Sequence, residues 1–146
     1  MSIWFRNFTL EELNQLGAHT LAAHLDIRVV EIGPDYLVGT LPVDHRTQQN
    51  YGILHGGASV ALAETLASIA ANMCVDPGRF RCVGQEINAN HLRPAREGRV
   101  TGITKPLHIG SRSQVWEIRL TDERGRLTCV SRLTMFAMNV AKTHAL

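Results

Sequence analysis

The sequence predicts an α+β fold in which an antiparallel sheet wraps around one long helix. Two patterns indicate this architecture. Residues 58–74 form a run that is rich in alanine and leucine and apolar nearly all the way round, which predicts a helix that is mostly buried. After residue 78 the pattern changes to alternating apolar and polar residues, which is typical of strands with one covered face.

The N-terminal part of the chain begins with a helix. Thr9 and Glu12 have the spacing of a capping box, and three leucines follow at helical spacing. A helix is therefore predicted from about residue 10 to the low 20s. Two strands that form a hairpin, and then a polar loop that leads to the central helix, are predicted over 25–32, 36–43 and 44–52.

The C-terminal half is predicted to add four strands, at about 80–91, 98–107, 112–121 and 126–138. Trp116, Ile118 and Leu120 alternate with Glu117 and Arg119, which predicts that one face of this strand is covered. The chain has 146 residues and neither an internal repeat nor a linker. A single domain spanning 1–146 is therefore predicted.

The composition argues against several classes of protein. A net charge of +2, without clustered lysines and arginines between aromatic residues, predicts no nucleic-acid partner. The 58–74 run is slightly short for a membrane span and contains Glu64 and several polar residues, so no membrane segment is predicted. Three scattered cysteines without a C-x-x-C pair predict reduced thiols, no metal site and a cytoplasmic location.

Glu64 is the only charged residue in the apolar run. A carboxylate on a buried helix is costly unless it is paired or used in chemistry. Just upstream, His55, Gly56 and Gly57 place two glycine amides at the start of the helix, where a developing negative charge is stabilised. This combination indicates acyl-transfer chemistry. The alternative is that Glu64 is a structural residue that fixes helix register at an interface.

The motif from His55 to Glu64 reads H-G-G-A-S-x-x-x-A-E and follows a hairpin and a loop. This arrangement resembles the hotdog fold and, within it, the acyl-CoA thioesterases of the phenylacetate-pathway and aroyl-CoA type. Three further stretches, at 84–91, 93–99 and 105–112, strengthen the resemblance, which covers nearly the whole chain.

The resemblance implies a catalytic role for five residues. Glu64 would act as a general base on water, or as a nucleophile that forms a mixed anhydride. The Gly56 amide would bind the thioester oxygen, and Gln49 would polarise the same carbonyl. His55 would orient this part of the site, and Ser68 would help to hold the attacking water.

The resemblance also implies a surface for the substrate and coenzyme A. Arginine side chains and glycine-rich turns suit the phosphates of the coenzyme, although solvated turns are the default interpretation of such stretches. The implied residues are Gly84, His91, Leu92, Arg93, Pro94, His108, Ile109, Gly110, Ser111, Arg112 and Ser113.

The spacing of the motif predicts an oligomer. Gly56 and Glu64 are eight residues apart on one helix, which separates them by about 12 Å along its axis. One thioester carbon cannot lie close to both within a single chain. We therefore expect at least a homodimer in which Glu64 of one chain faces Gly56 of its mate. The resemblance further implies a homotetramer.

The sequence thus predicts an enzyme that hydrolyses an acyl-CoA thioester to a carboxylate and free coenzyme A, without a metal or cofactor. The resemblance implies an aromatic acyl group, with 1,4-dihydroxy-2-naphthoyl-CoA of menaquinone biosynthesis as a candidate. Two alternatives remain open at this stage. One is a proofreading thioesterase that acts on acyl or aryl carrier proteins, and the other is a non-catalytic hotdog module that binds acyl-CoA.

Overall fold

A six-stranded antiparallel sheet and a long helix dominate the structure, a computed structural model that describes residues 1–141. The predicted domain limit at residue 146 lies outside the described residues. The helices are α1 (Leu10–Leu16), α2 (Leu21–His24) and α3 (Gly56–Met73). The strands are β1 (Arg28–Ile32), β2 (Leu37–Pro42), β3 (Phe80–His91), β4 (Arg99–Ile109), β5 (Ser113–Thr121) and β6 (Leu127–Asn139).

The order of strands in the sheet is β1-β2-β4-β5-β6-β3, so β1 and β3 form its two edges. Helix α3 packs against β2 to β6. This arrangement confirms the predicted fold class, an antiparallel sheet around one long central helix. The alternation on β5 is also confirmed, because Trp116, Ile118 and Leu120 are fully buried while Arg119 is exposed.

Two glycines allow α3 to lie close to the sheet. Gly39 of β2 and Gly102 of β4 are cross-strand partners. A Cβ atom on Gly39 would overlap the side chain of Leu66, and one on Gly102 would lie 3.0 Å from it. Leu66 is fully buried, so the middle of α3 packs directly against the two paired glycines, which we call the glycine seat.

The prediction of one helix from residue 10 to the low 20s is wrong. The capping box at Thr9 and Glu12 is confirmed, but α1 ends at Leu16. His19 then adopts a positive φ of 63°, and the Thr20 hydroxyl accepts the Ala22 amide to begin α2. A residue in the left-handed region interrupts helical hydrogen bonding, and a threonine N-cap restarts it.

In the single chain, the expected burial of α3 is found on the side of the helix that faces the sheet. The sheet covers most of the helix, but one face is only partly buried. The residues on this face follow the helical repeat and are Val60, Ala61, Glu64, Thr65, Ser68, Ile69 and Asn72. Glu64 therefore lies on the partly buried face of α3, which we call its open face.

All three cysteines, Cys74, Cys82 and Cys129, are free. Burial raises the pKa of the Cys74 thiol to about 12, with a further contribution from Cys82. Such thiols stay protonated at neutral pH and react slowly. Within residues 1–141, no helix combines the length and the apolar character that crossing a membrane requires.

A cluster of charged groups joins the first three strands of the sheet. The Arg99 guanidinium donates to the Asp26 carboxylate at 2.9 Å, to the Asp26 carbonyl at 2.9 Å and to the Thr40 hydroxyl at 3.1 Å. Arg28 donates to the same carboxylate at 2.7 Å. These bonds with Arg28 and Arg99 lower the pKa of Asp26.

We predict that Arg99→Ala will lower the free energy of unfolding by about 1 to 2 kcal/mol at pH 7. Because the folded state lowers the pKa of Asp26, its contribution is present above the unfolded value of about 4 and is lost as the pH falls through the folded value. The difference between wild type and Arg99→Ala should therefore narrow at about pH 2.5. Urea unfolding of wild type and Arg99→Ala at pH 7 and at about pH 2.5 measures this difference in the free energy of unfolding. Arg119→Ala is the control. An equal difference at both pH values would contradict the prediction.

Candidate active site

The start of α3 presents a free backbone amide. His55 caps the helix, and its Nδ1 accepts the Gly57 amide at 2.8 Å. The amides of Ala58 and Ser59 bond to the His55 carbonyl at 3.0 and 3.2 Å. The Gly56 amide has no acceptor among residues 1–141. The positive end of an 18-residue helix therefore carries one donor that is available to a ligand.

Gly56 lines a cavity of about 400 Å³, which we call the amide cavity. The His91 ring lies over this glycine, since a Cβ atom on Gly56 would be only 2.9 Å from His91 Nε2. The cavity thus contains six of the predicted site residues, Gln49, Gly56, His91, Leu92, Arg93 and Pro94. The other lining residues are Ile53, Leu54, Ser59, Ala95 and Thr128.

Gln49 is held by a tight turn before α3. Its main chain accepts the Gly52 amide at 3.0 Å and donates to the Ile53 carbonyl at 2.9 Å. Its side-chain oxygen accepts the Tyr51 amide. Because the oxygen is engaged in the turn, the side-chain NH₂ group is the part of Gln49 that can donate to a ligand.

Glu64 lies on the open face of α3 against strand β3. A Cβ atom on Gly84 would overlap Oε1 of Glu64, so only glycine lets the carboxylate approach the strand this closely. The ladder between β3 and β6 has a bulge between Gly84 and Glu86, directly beside this contact. No cation or hydrogen-bond donor among residues 1–141 pairs with the Glu64 carboxylate.

Glu64 also lines a second cavity, of about 330 Å³, which we call the carboxylate cavity. Its wall is mostly apolar and is formed by Leu13, Leu16, Leu21, Ile27, Val29 and Ile69. Ser68 lines it one turn after Glu64, and its hydroxyl donates weakly to Met135 Sδ at 3.8 Å. The carboxylate cavity therefore places the Glu64 carboxylate and the Ser68 hydroxyl together on a mostly apolar surface.

The two cavities have no lining residue in common. Within one chain the structure brings Gln49 and Gly56 together, and it brings Glu64 and Ser68 together with Gly84 beside them. It does not bring Glu64 to Gly56. This separation agrees with the spacing of about 12 Å expected for eight residues of helix.

The remaining predicted residues lie where β4 turns into β5. His108 and Ile109 end β4, Gly110, Ser111 and Arg112 form the turn, and Ser113 begins β5. The Gly110 amide donates to the Ser113 carbonyl at 2.9 Å, and the Arg112 carbonyl accepts the Ala137 amide at 2.9 Å. None of the six residues lines the amide cavity or the carboxylate cavity. They form the mostly exposed end of a hairpin. The Arg112 side chain has no hydrogen-bond or ion-pair partner among residues 1–141.

The sequence analysis did not find Arg124 and Arg126, which the structure brings close to Arg93. Arg93 also lines a polar cavity of about 350 Å³, which it shares with Arg96, Arg124 and Arg126. Arg126 is paired with Asp122 at 2.7 Å, whereas Arg96 and Arg124 have no acidic partner among residues 1–141. Arg124 and Arg126 lie about 30 residues from Arg93 in the chain, and no local pattern connects them.

Comparisons with known proteins agree with this geometry. The sequence model of the thioesterase superfamily matches residues 51–129. The 1,4-dihydroxy-2-naphthoyl-CoA hydrolase of Escherichia coli strain K12 is 58% identical over 132 residues, which cover 90% of this chain and 96% of that protein. The proofreading thioesterase EntH of Cronobacter turicensis is 49% identical over 136 residues, which cover 93% of this chain and 98% of that protein. The crystal structure of thioesterase HI1161 from Haemophilus influenzae matches with a TM-score of 0.94 and 48% identity, covering 97% and 99%.

We predict that Gly84→Ala will displace the Glu64 carboxylate without unfolding the protein. The added methyl group overlaps Oε1, and a partly exposed glutamate side chain can move away more easily than the strand can. The ¹³C resonance of the Glu64 carboxyl carbon in glutamate-labelled protein should shift. Val83→Ala on the same strand should leave this resonance in place, and an unchanged resonance in Gly84→Ala would contradict the contact.

Proposed function

Because this chain belongs to the thioesterase superfamily and is a thioester hydrolase acting on acyl-CoA, we propose that its substrate is an aromatic acyl-CoA. The first candidate is 1,4-dihydroxy-2-naphthoyl-CoA, since a hydrolase of that name is 58% identical to this chain. The observation that carries the proposal is the free Gly56 amide, which lies in one cavity with Gln49 at the start of the helix that bears Glu64.

The amide cavity supports binding of the thioester carbonyl. The Gly56 amide and the Gln49 NH₂ group are two donors for the carbonyl oxygen, and the positive end of α3 stabilises the charge that develops on it. His55 acts indirectly, because it takes up the Gly57 amide and thereby fixes the turn that presents Gly56. These donors are held in place before the substrate arrives, so they require little reorganisation during the reaction.

Two chemical routes are available to Glu64. As a general base, it removes a proton from water, the water oxygen attacks the carbonyl carbon, and the C–S bond breaks to release the coenzyme A thiolate. As a nucleophile, its carboxylate attacks the carbonyl, the thiolate leaves, and water then hydrolyses the mixed anhydride. Ser68 lies one turn away in the same cavity and is placed to hold the water in either route.

We further propose that each complete site forms between two chains. The amide cavity and the carboxylate cavity are separate within one chain, although one thioester must reach both. The open face of α3 and the adjacent edge strand β3 form a continuous surface for a second copy. Twofold pairing there sets two α3 helices antiparallel, so that Glu64 of one chain approaches Gly56 of the other. The homotetramer implied by the family resemblance would be a pair of such dimers.

The surroundings of the two cavities suit the two ends of an aryl-CoA molecule. The apolar wall of the carboxylate cavity can bury an aromatic acyl group. Arg93 leads from the amide cavity to the polar cavity with Arg96 and Arg124, where phosphate groups can accept hydrogen bonds. Arg112 at the β4–β5 turn is a further candidate for phosphate binding. A cytoplasmic location, where coenzyme A esters occur, is supported by the three free cysteines.

A second candidate substrate is an aryl group on a carrier protein. The observation that favours it is the 49% identity to a proofreading thioesterase. Both substrates present a thioester on a pantetheine arm, so the chemistry at Glu64 is the same for both. They differ beyond that arm, where coenzyme A carries a nucleotide and the carrier carries a protein surface.

We predict that Glu64→Gln will lower kcat by a factor on the order of 10² or more while KM changes little. The assay follows free thiol from benzoyl-, naphthoyl-, phenylacetyl- and straight-chain acyl-CoA and from an aryl carrier protein. A preference of the wild type for the aryl-CoA esters supports the proposal. Glu117→Gln, on β5 away from both cavities, is the control. Wild-type-like turnover by folded Glu64→Gln would show that this carboxylate is not catalytic.

The shared site predicts that two inactive variants restore each other. Glu64→Ala and Gln49→Ala, each nearly inactive alone, are refolded together in equal amounts. A mixed dimer then has one site with both changes and one site with neither. Random pairing makes about half of the dimers mixed, so activity should reach roughly a quarter of the wild-type value. If activity stays at the average of the two parents, the site lies within one chain.

A further inference from the structure

An asparagine from a neighbouring helix holds each edge strand of the sheet. Asn14 of α1 binds both backbone groups of Val29 in β1, accepting from its amide and donating to its carbonyl, each at 2.9 Å. Asn72 of α3 binds Cys82 in β3 in the same way, at 2.9 and 3.0 Å. Each side chain also donates at 2.9 Å to the carbonyl four residues earlier in its own helix.

The Asn72 clamp holds the strand that contacts the catalytic carboxylate. Asn72 is two turns after Glu64 on the open face of α3, and Cys82 is two residues before Gly84 on β3. The backbone groups of Cys82 that Asn72 binds face away from the neighbouring strand, so the side chain takes the place of a strand partner at this point. The distance between α3 and this part of β3 is thereby fixed within the same stretch that places Gly84 against Glu64.

We propose that Asn72 is a positioning residue for Glu64, an inference that rests on the proposed function. The bulge between Gly84 and Glu86 interrupts the ladder with β6 next to the carboxylate, so that ladder alone holds Gly84 less firmly than a regular one would. Asn72 supplies the missing restraint from the helix that carries Glu64. It keeps Gly84 at the distance at which the strand limits the orientations open to the carboxylate.

The joint between α3 and β3 has a second support that preserves the fold when Asn72 is changed. Buried Gln114 donates to the Ala71 carbonyl at 3.4 Å and to Cys82 Sγ at 3.6 Å. The Trp116 indole donates to the other end of the same Gln114 side chain at 2.9 Å. These contacts hold Cys82 through its side chain, whereas Asn72 alone binds its backbone. Loss of Asn72 should therefore loosen the strand locally and leave the core in place.

We expect Asn72→Ala to lower kcat about tenfold and to change KM by less than about twofold. A small displacement of a reacting group slows the chemical step, while the contacts that bind substrate remain. Ser131→Ala is the matched control, because it removes a bond of 2.8 Å that the Ser131 hydroxyl of β6 donates to the Asn88 carbonyl of β3. It should leave kcat within about twofold of wild type. Asn14→Ala, compared by melting temperature alone, measures the stability cost of losing such a clamp.

A double variant separates positioning from general loosening. If Asn72 acts through the contact between Gly84 and Glu64, then Asn72→Ala should cost little more once Gly84→Ala has already displaced the carboxylate. The kcat of Asn72→Ala/Gly84→Ala should then be close to that of Gly84→Ala. The assignment is overturned if the kcat losses of the two single variants multiply in the double variant. It is also overturned if Asn72→Ala leaves kcat unchanged, or if Ser131→Ala lowers kcat as much as Asn72→Ala does.

A measurement without substrate keeps this inference distinct from the proposed function. The ¹³C resonance of the Glu64 carboxyl carbon should shift in Asn72→Ala and stay in place in Ser131→Ala. If wild type hydrolyses none of the thioesters tested, the proposed function fails, yet the resonance still decides whether Asn72 positions Glu64. A resonance that stays in place in Asn72→Ala overturns the positioning role, whatever the activity.

Discussion

The packing of α3 on the sheet is the interaction on which the rest of the structure depends. Leu66 rests on the paired glycines Gly39 and Gly102, and this seat fixes both the distance of the helix from the sheet and its rotation about its own axis. That rotation leaves one face of α3 open and places Glu64 on it, beside the edge strand β3. A larger side chain at Gly39 would displace the helix, and Glu64 would move with it.

In the proposed function, one rigid helix carries both the amide that binds the thioester oxygen and the catalytic carboxylate, and this explains why the site is divided between chains. The amide of Gly56 has to lie at the helix start to benefit from its positive end, whereas a carboxylate is least costly where the helix is partly open. The helical rise keeps the two groups about 12 Å apart, and no change of side-chain conformation can bring them together. The proposed pairing of two antiparallel helices would bring the two groups together across two chains, with the edge strand β3 as part of the contact surface.

Local sequence was enough to predict much of this molecule. The capping box at Thr9, the change from helical to alternating periodicity and the glycine pair after His55 each act over a few residues, so their signals are complete within a short window. The break between α1 and α2 was not predictable in this way. The leucine spacing continues the helical pattern, whereas the structure shows that a positive φ at His19 interrupts the helix.

The sequence by itself determined the fold class, the helix that bears Glu64 and the motif that places Gly56 at its start, because those features depend on neighbours along the chain. Only the tertiary structure decided which face of α3 stays open, that Gly84 meets the carboxylate and that Asn72 clamps Cys82. It also brought Arg124 to Arg93. These relations join residues that are distant in the chain, and the packing of helix on sheet sets their distances, which no periodicity encodes.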